Sequence, residues 1–309
     1  MVNMCKWDKK GLLFGPNVPG YSHASHPTIV NVRDDLFIVA FSCRDVNQKS
    51  HIFLAYAEVI NSKINIISEP KMALKPGNPG YFDCDGLLSC CFVKHNSKYY
   101  LYYSGWQNLP DGLWICDTGR AIIDSEGLTA SREFDGPVLA RDKNNPIFAA
   151  ATSVYVDKKG IWHTWYNSGI RWEKADEGWK PTYGIHYAHS LDGIDWTSEP
   201  GLIIPLADEY EHSFGRPSVV CWDNIYYMWF AHRGTKDYST YRIGFASSKD
   251  GRVWERDDTL SGISISKTGW DSDSICYPYI FEHNNVRFML YNGNNYGQTG
   301  FGYAVMESD

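Results

Sequence analysis

The sequence lacks the marks of a membrane, secreted or nucleic-acid-binding protein. No apolar run approaches the roughly 20 residues that cross a bilayer, and the opening MVNMCKWDKKGLLFGP has no apolar core of a signal peptide. Basic residues are also scarce, since 29 Lys and Arg face 36 Asp and Glu, a formal net charge of −7. Nucleic acids and anionic membranes need basic surfaces. We therefore expect a cytoplasmic protein with a small-molecule ligand, no nucleic-acid partner and no membrane insertion.

Closely spaced metal-binding residues are missing as well. The eight cysteines are scattered without CxxC spacing, and the sequence has no HExxH motif. We interpret the cysteines as reduced, mostly buried thiols without a catalytic or metal-binding role. His23 and His26 with Asp83 or Asp85 could form a zinc site, but this is the weaker interpretation. We predict no metal ligands and no required cofactor.

Aromatic residues, by contrast, are abundant, and many of them fall in a repeat. They make up 15% of the chain, and they favour strands and stacking surfaces for ring-shaped ligands. The short apolar runs SHPTIVNV, LSCCFVKH, ATSVYVDK, GRPSVVCW and CYPYIFEH align at positions 27, 90, 153, 217 and 278, which are 63, 63, 64 and 61 residues apart. Each run is followed by an aromatic strand such as KYYLYYSGW, and then by a third strand such as YRIGFASS. This regularity predicts repeated β-units.

The repeat predicts an all-β, five-bladed β-propeller. Four units continue into a fourth segment, and the N-terminal KWDKKGLLFGP at 6–16 resembles the segment that the fifth unit lacks. We predict that this N-terminal strand joins the last blade and closes the ring, which leaves only short edges. Two β-sandwich domains would not explain five equal periods. The prediction is one domain over 1–309, with blades at about 22–80, 81–142, 143–208, 209–266 and 267–309 plus 6–16.

Polar residues collect where strand one of each unit begins and strand two ends, which in a propeller is one mouth of the central channel. Asp83 and Asp271 both lie seven residues before the aligned position, Asp85 and Asp273 lie five before it, and Glu211 lies six before it. Carboxylates that lie at the same or nearly the same number of residues before the aligned position in different blades suggest a shared site.

Glycoside cleavage needs one protonated carboxyl group and one carboxylate, and a cluster of acids in a cavity raises the pKa of one member. We predict Glu211 as general acid and Asp85 or Asp273 as base or nucleophile. Asp273 is expected to touch the ligand, whereas Asp271 is expected to cap a loop. A divalent cation in the channel would be compatible with these acids. The predicted ligand-binding residues are His23, His26, Arg44, Asp83, Trp106, Trp172, Arg216, His232, Arg233, Asp271, Asn292, Asn294 and Tyr296.

Several motifs carry a resemblance to a known superfamily. The five-fold pattern with internal SLDGIDW and SKDGRVW turns resembles the furanosidase-like propellers of glycoside hydrolase families 43 and 32. The segments YYSGW, GRPSVV, GWDSDSICYP and YNGNNYGQTGFGYA are similar to a less characterised group associated with bacterial surface-polysaccharide biosynthesis. The fold of that group resembles the N-terminal region of plant glucosamine inositolphosphorylceramide transferases. The resemblance implies a propeller fold and a sugar ligand.

The chain departs from families 43 and 32 at the catalytic positions that the resemblance implies. His26 stands where those families place their first aspartate, and Thr152 and Ser153 stand where a second aspartate is expected. Two functions therefore remain open. One is a carbohydrate-active enzyme that acts on a glycosidic or sugar-phosphate bond, for example in a nucleotide sugar, during surface-polysaccharide biosynthesis. The other is a non-catalytic sugar-binding propeller that positions an acceptor for a partner glycosyltransferase. A scaffold without a ligand would not explain the polar mouth.

Overall fold

The computed structural model describes residues 6–175 and 178–307, and these residues are almost entirely β-structure. The strands are β1 (Trp7–Phe14), β2 (Ser22–Arg33), β3 (Leu36–Arg44), β4 (Ser50–Ile60), β5 (Lys63–Ile66), β6 (Lys71–Leu74), β7 (Gly86–His95), β8 (Lys98–Asn108), β9 (Trp114–Asp124), β10 (Thr129–Arg132), β11 (Ala149–Val156), β12 (Trp162–Ala175), β13 (Gly178–Ser190), β14 (Thr197–Ser198), β15 (Ser213–Phe214), β16 (Ser218–Trp222), β17 (Ile225–Arg233), β18 (Arg242–Ser248), β19 (Glu255–Arg256), β20 (Cys276–His283), β21 (Val286–Asn292) and β22 (Phe301–Met306). One helical turn, α1 (Asn294–Gly297), and two 3-10 turns, Pro110–Gly112 and Asp258–Leu260, lie in loops. No helix in the described ranges is long and apolar enough to cross a membrane.

Antiparallel pairing groups the strands into sheets in chain order. The first sheet contains β2 to β6, the second β7 to β10, the third β11 to β14 and the fourth β16 to β19, with the short β15 beside β17. The C-terminal sheet has the order β1-β22-β21-β20. Its outer strand is the N-terminal segment, because Trp7 pairs with Met306 and Phe14 with Phe301.

Short turns join the first and second strands of several sheets. Consecutive residues with positive φ occupy the turns at Asn96 and Ser97, at Asp223 and Asn224, and at 284–285. This is the backbone of a type I′ hairpin, which Asn and Asp tolerate and which matches the twist of the strands it joins. The polar pairs in the sequence therefore fix where each aromatic second strand starts.

The core lies between the sheets. One apolar cluster joins the first sheet to the second, and others join the second to the third, the third to the fourth, the fourth to the C-terminal sheet and the C-terminal sheet to the first. Residues of the second strands, such as Phe41, Leu101 and Trp229, are therefore fully buried. A strand covered on both faces is expected to read as a nearly continuous apolar run, as these strands do.

The sheets also meet through the backbone at one end. Ser50 of β4 bridges in parallel to Gly86 of β7, and Asp117 of β9 bridges in the same way to Ala149 of β11. Tyr183 of β13 makes the corresponding bridge to Ser213 of β15. The third strand of one sheet thus begins beside the first strand of the next sheet, and the loops at this end surround a common space.

Candidate functional site

A cavity of about 370 Å³ opens where the first strands of the sheets converge. Aromatic and cationic side chains dominate its wall. The residues that line it are His26, Arg44, Leu88, Ser104, Trp106, Asn108, Trp114, Cys116, Phe148, Ala150, Ala151, Asn167, Tyr183, Phe214, Gly215, Arg216, Arg233, Tyr241, Tyr277 and Tyr296. None of these is Asp or Glu. A mainly apolar wall with a few directed polar groups is typical of small-molecule sites.

The first strands are irregular where they reach this cavity. His26, Ala151 and Tyr277 have φ values of 53°, 55° and 53°, in the left-handed region that side chains with a Cβ rarely adopt. Each lies at a shift of strand register, which indicates a β-bulge. The rings of His26 and Tyr277 stack with centroids 3.8 Å apart. Strained backbone held by the surrounding structure is characteristic of functional sites.

Arg216 forms the base of the cavity and ties several sheets together. Its side chain is almost fully buried, and it donates hydrogen bonds to the carbonyl oxygens of Pro27 at 2.8 Å and Tyr277 at 2.6 Å, with a longer one to Cys90 at 3.2 Å. Burial lowers the pKa of Arg216 to about 10, so the guanidinium remains charged at neutral pH.

Two further guanidinium groups lie against aromatic rings in the wall. The Arg233 guanidinium carbon is 4.9 Å from the ring centroid of Tyr241 and 5.6 Å from that of Tyr296. The guanidinium carbon of Arg44 lies 5.9 Å from the ring of Trp106. Such cation–π contacts hold the charged groups in place without neutralising them.

The histidines near the cavity contribute no charge at neutral pH. Burial, followed by the positive charges of Arg216 and Arg44, lowers the pKa of His26 well below its ordinary value. Burial and Arg44 lower the pKa of His23 to about 4. The positive charge of the site therefore comes from arginine alone, and His26 keeps a neutral ring whose Nδ1 has no partner within the described chain.

The predicted carboxylates do not meet at the cavity. Three of them contact side chains from two strands of a single sheet, and we call these groups the intrasheet clusters. The clusters are Asp83 with Tyr103 and Arg132, Glu211 with His232 and Arg256, and Asp271 with Tyr291 and Lys9. Within these clusters, Arg132, Arg256 and Lys9 contact the carboxylates at 2.7, 2.8 and 2.7 Å. In every cluster the cation comes from the outermost strand of the sheet and the third member from its second strand. The similar distance in sequence between each of these acids and the aligned position of the repeat therefore reflects a repeated structural contact.

Glu211 is held in its cluster as a carboxylate. Burial alone would raise the pKa of Glu211, but hydrogen bonds from Arg256 and His232 outweigh it and lower the pKa to about 2. His232 Nδ1 lies 2.6 Å from one carboxylate oxygen, and the other accepts a bond from the Ala207 amide. A general acid must carry a proton, so the lowered pKa of Glu211 argues against its predicted role as general acid.

Asp85 and Asp273 are not among the residues that line the cavity either. Asp85 accepts a hydrogen bond from the Asn108 amide at 2.9 Å and pairs with Lys49 at 3.1 Å; the Asn108 bond holds the pKa of Asp85 below its usual value. Asp273 is exposed, and its carbonyl oxygen accepts bonds from Thr240 and Arg242. The structure thus separates Asp85, Glu211 and Asp273 instead of joining them in one site.

The predicted ligand-binding residues divide into two groups. His26, Arg44, Trp106, Arg216, Arg233 and Tyr296 line the cavity. The others do not, and most have structural partners. Asn292 binds the His26 amide and the Ala24 carbonyl, Asn294 accepts bonds from the amides of residues 273 and 274, and Trp172 packs edge-on against Trp114. His23 bonds to Ser22, His232 belongs to the Glu211 cluster, and Asp83 and Asp271 form clusters of their own.

Sequence reasoning missed several aromatic residues of the wall. Tyr183 and Tyr241 begin the repeated segments YGIHYAHS and YRIGFASS, so the repeat places them in one column, whereas Trp114 lies three residues before the corresponding Asp117. Tyr277 directly precedes the aligned Pro278, as His26 precedes Pro27. These columns of the repeat were the available signal.

Two other side chains near the cavity have unusual surroundings. Asn167 donates a hydrogen bond to the Phe214 carbonyl at 2.7 Å, but its buried Oδ1 has no partner within the described ranges. Asp117 lies next to Cys116 of the wall, 3.9 Å from Arg141, and burial raises its pKa to about 6. Between 6–175 and 178–307, no group of three or more His, Cys, Asp or Glu side chains is arranged to hold a metal ion.

Comparisons with known proteins identify the fold and the family. A solved structure named "Glycoside hydrolase" aligns with a TM-score of 0.75 and 17% identity, over 98% of this chain and 92% of that one. A "thermostable family-43 glycoside hydrolase" aligns with a TM-score of 0.61 and 14% identity, over 95% and 91%. The fold is therefore that of the propeller glycoside hydrolases, although identity this low shows the fold alone.

Sequence comparison places the chain in a family with two uncharacterized relatives. No family model matches the sequence. The chain is 35% identical over 308 residues to the uncharacterized proteins MT1551 and Rv1502 of two Mycobacterium tuberculosis strains, CDC 1551 / Oshkosh and ATCC 25618 / H37Rv, covering 98% of this chain and 99% of each relative. The chain belongs to the family of these proteins.

Proposed function

We propose that the chain is a five-bladed propeller whose central cavity binds a carbohydrate without hydrolysing it. The blades correspond to about 22–80, 81–142, 143–208, 209–266 and 267–309 plus 6–16, and they form one domain. The observation that carries this proposal is the lining of the cavity, in which aromatic rings, amides and guanidinium groups occur without a carboxylate. Hydrolysis of most glycosides needs two carboxyl groups flanking the bond.

The wall offers the contacts that sugars use. Trp106 and Trp114 provide faces on which a pyranose or furanose ring can stack. Asn167 supplies an unpartnered acceptor and Arg233 supplies donors for hydroxyl groups. Two of the predicted acids, Asp83 and Glu211, are held in intrasheet clusters. Binding without cleavage fits these contacts and requires no cofactor.

In this role the protein would position a sugar acceptor or donor for a partner glycosyltransferase in surface-polysaccharide biosynthesis. The resemblance of the sequence to proteins of such pathways supports the assignment. A partner enzyme would supply the chemistry that the cavity lacks.

The proposal is tested by glycan-array binding followed by calorimetry on the sugars retained. Trp106→Ala should weaken binding of a retained sugar at least tenfold, because one stacking face is lost. Phe134→Ala is the matched control, since Phe134 is an exposed aromatic residue outside the cavity wall. Retention of no sugar, or equal affinity for wild type and Trp106→Ala, would contradict the proposal.

A second candidate, an enzyme acting on a glycosidic or sugar-phosphate bond, is favoured by Asp117. Its pKa of about 6 suits a general acid or base, and it is next to the wall residue Cys116. Release of sugar or nucleotide from a panel of nucleotide sugars, abolished by Asp117→Asn, would establish this function. Binding without any release would support the non-catalytic function instead.

A further inference from the structure

We propose that the ligand of the central cavity is a carbohydrate bearing an anionic group, phosphate or carboxylate, and that Arg44, Arg216 and Arg233 recognise this group. The inference rests on the proposed carbohydrate-binding function and specifies its ligand class. It follows from the charge of the cavity, from the absence of counter-ions and from the position of the arginines beside stacking rings.

The cavity concentrates positive charge in a protein that is acidic overall. Three guanidinium groups line it, while no lining residue of the described chain is acidic and His26 is neutral. The chain as a whole has a formal net charge of −7. The excess of arginine is thus local to the cavity and does not reflect a generally basic surface, which argues for a small anion and against nucleic acid.

These arginines lack the ion pairs that several other buried or half-buried arginines have. Arg120 pairs with Glu133 at 2.6 Å, and Arg132 and Arg256 pair with the carboxylates of their intrasheet clusters. Within residues 6–175 and 178–307, no carboxylate lies within 4.0 Å of the side-chain nitrogens of Arg44, Arg216 or Arg233. Buried charges in proteins are generally paired. A bound anion would supply the missing partner.

The arginines are held in position before any ligand arrives. Arg233 is fixed between Tyr241 and Tyr296, and its buried Nε has no partner within the described chain. Arg216 is fixed by carbonyl oxygens of the first and C-terminal sheets. A planar guanidinium in a fixed orientation suits the paired oxygens of a phosphate or carboxylate.

The position of Arg44 favours a sugar over a bare ion. Its guanidinium lies beside the indole of Trp106, so a ring stacked on Trp106 would carry an anionic substituent toward Arg44. The cavity of about 370 Å³ is in the size range of small-molecule sites and exceeds what an inorganic anion needs. Charge and stacking together define an anionic carbohydrate such as a sugar phosphate, a uronic acid or a nucleotide sugar.

Calorimetry on matched ligands tests the inference. The panel contains the 1-phosphates of glucose, galactose, mannose and N-acetylglucosamine, the uronates of the first three, the UDP-sugars, the neutral methyl glycosides and inorganic phosphate. We expect at least one anionic sugar to bind ten or more times more tightly than its neutral parent, and raised salt to reduce this advantage. The phosphate and uronate arms distinguish the two anionic groups.

Variants identify the side chains that recognise the anionic group. Arg233→Gln and Arg44→Gln should each weaken binding of the anionic sugar by about tenfold to a hundredfold, while the affinity for the neutral parent changes little. Arg44→Lys should recover part of the loss because it keeps the charge. Arg33→Gln is the control, since this exposed arginine ends β2, whose first half carries His26. Circular dichroism checks that each variant is folded.

The outcomes separate this inference from the proposed function. Tighter binding of an anionic sugar that Arg233→Gln or Arg44→Gln removes would support both. Equal affinity for anionic and neutral sugars would overturn the inference and leave the proposed function standing. Binding of inorganic phosphate as tightly as any sugar phosphate would contradict a carbohydrate ligand. Failure of the whole panel to bind would overturn both.

Discussion

Arg233 and Arg256 lie in the same sheet but in different electrostatic surroundings. Arg256 contacts Glu211 at 2.8 Å and Asp258 at 2.7 Å, so its charge is neutralised inside the protein. Arg233 contacts only aromatic rings and a tyrosine hydroxyl among the described residues, and it faces the cavity. The first arrangement stabilises a sheet, whereas the second leaves a charge available to a ligand.

The strand that carries Arg233 shows how closely the two regions adjoin. His232 belongs to the Glu211 cluster, and the next residue, Arg233, lines the cavity. Successive side chains of a strand point to opposite faces, so one strand serves both regions. The comparison predicts that substitutions in the clusters affect stability, while substitutions in the cavity affect binding.

The largest expected effect comes from breaking an intrasheet cluster. Glu211→Gln should lower the free energy of unfolding by about 3 kcal/mol at pH 7, because Arg256 then loses one of its two carboxylate partners and keeps Asp258. Urea unfolding measures the change. Glu173→Gln is the control, since it removes an exposed pair with Arg171, and it should cost less than about 1 kcal/mol.

Glu211→Gln is also expected to change how the stability of the protein depends on acid pH. The pKa of Glu211 is about 2 in the folded protein, below its ordinary value of 4.5. The stability it contributes is therefore present above about pH 4.5 and is lost as the pH falls toward 2. Wild type should lose stability in this window more steeply than Glu211→Gln. Parallel acid limbs, or an unchanged free energy at pH 7, would show that the cluster does not stabilise the sheet.

A smaller effect is expected at Asp117, a buried carboxylate with a distant partner. Its folded pKa of about 6 exceeds the ordinary value of 3.8, so the folded state binds more protons and stability falls as the pH rises between these values. Asp117→Asn should raise the free energy of unfolding by about 2 kcal/mol at pH 7 and by much less at pH 4. The exposed Asp135→Asn should show no such pH dependence. Destabilisation at pH 7 would contradict the prediction.

The smallest effect on stability is expected in the cavity. Arg233→Gln removes an unpaired charge, so the free energy of unfolding should stay the same or rise by no more than about 1 kcal/mol. Thermal and urea unfolding of Arg233→Gln and Arg256→Gln, measured in parallel, test this difference. Arg256→Gln should be clearly destabilised. A loss of more than about 2 kcal/mol at Arg233 would assign it to the structural region instead.

The repeat in the sequence predicted most of the sheet structure. Pro27, Ser153 and Pro278 all fall in first strands, and the N-terminal segment pairs with the last strand, as its Trp and Gly-Leu pattern indicated. This succeeded because strand alternation and turn residues are local properties. The number of blades remains part of the proposal.

The site was only partly predictable, because the partners of each side chain depend on contacts between residues that are distant in the sequence. The matched spacing of Asp83 and Asp271 was real, but their partners Arg132 and Lys9 lie on other strands and could not be assigned from one sequence. The sequence therefore predicted a shared ligand site for Asp83 and Asp271 where the structure shows separate ion pairs. The catalytic roles of Asp85, Glu211 and Asp273 stay a prediction. Arg216 and Arg233, two of the predicted ligand-binding residues, line the cavity, since the residue before the aligned proline and the end of the second strand both face it.

The pairing of β1 with β22 has a consequence for how the protein folds. Residues 7–14 pair with residues 301–306, so nearly all of the described chain lies between the two strands. Contacts of such sequence separation form slowly, because a long loop must close before they are gained. The C-terminal sheet is therefore expected to be completed as a late event of folding.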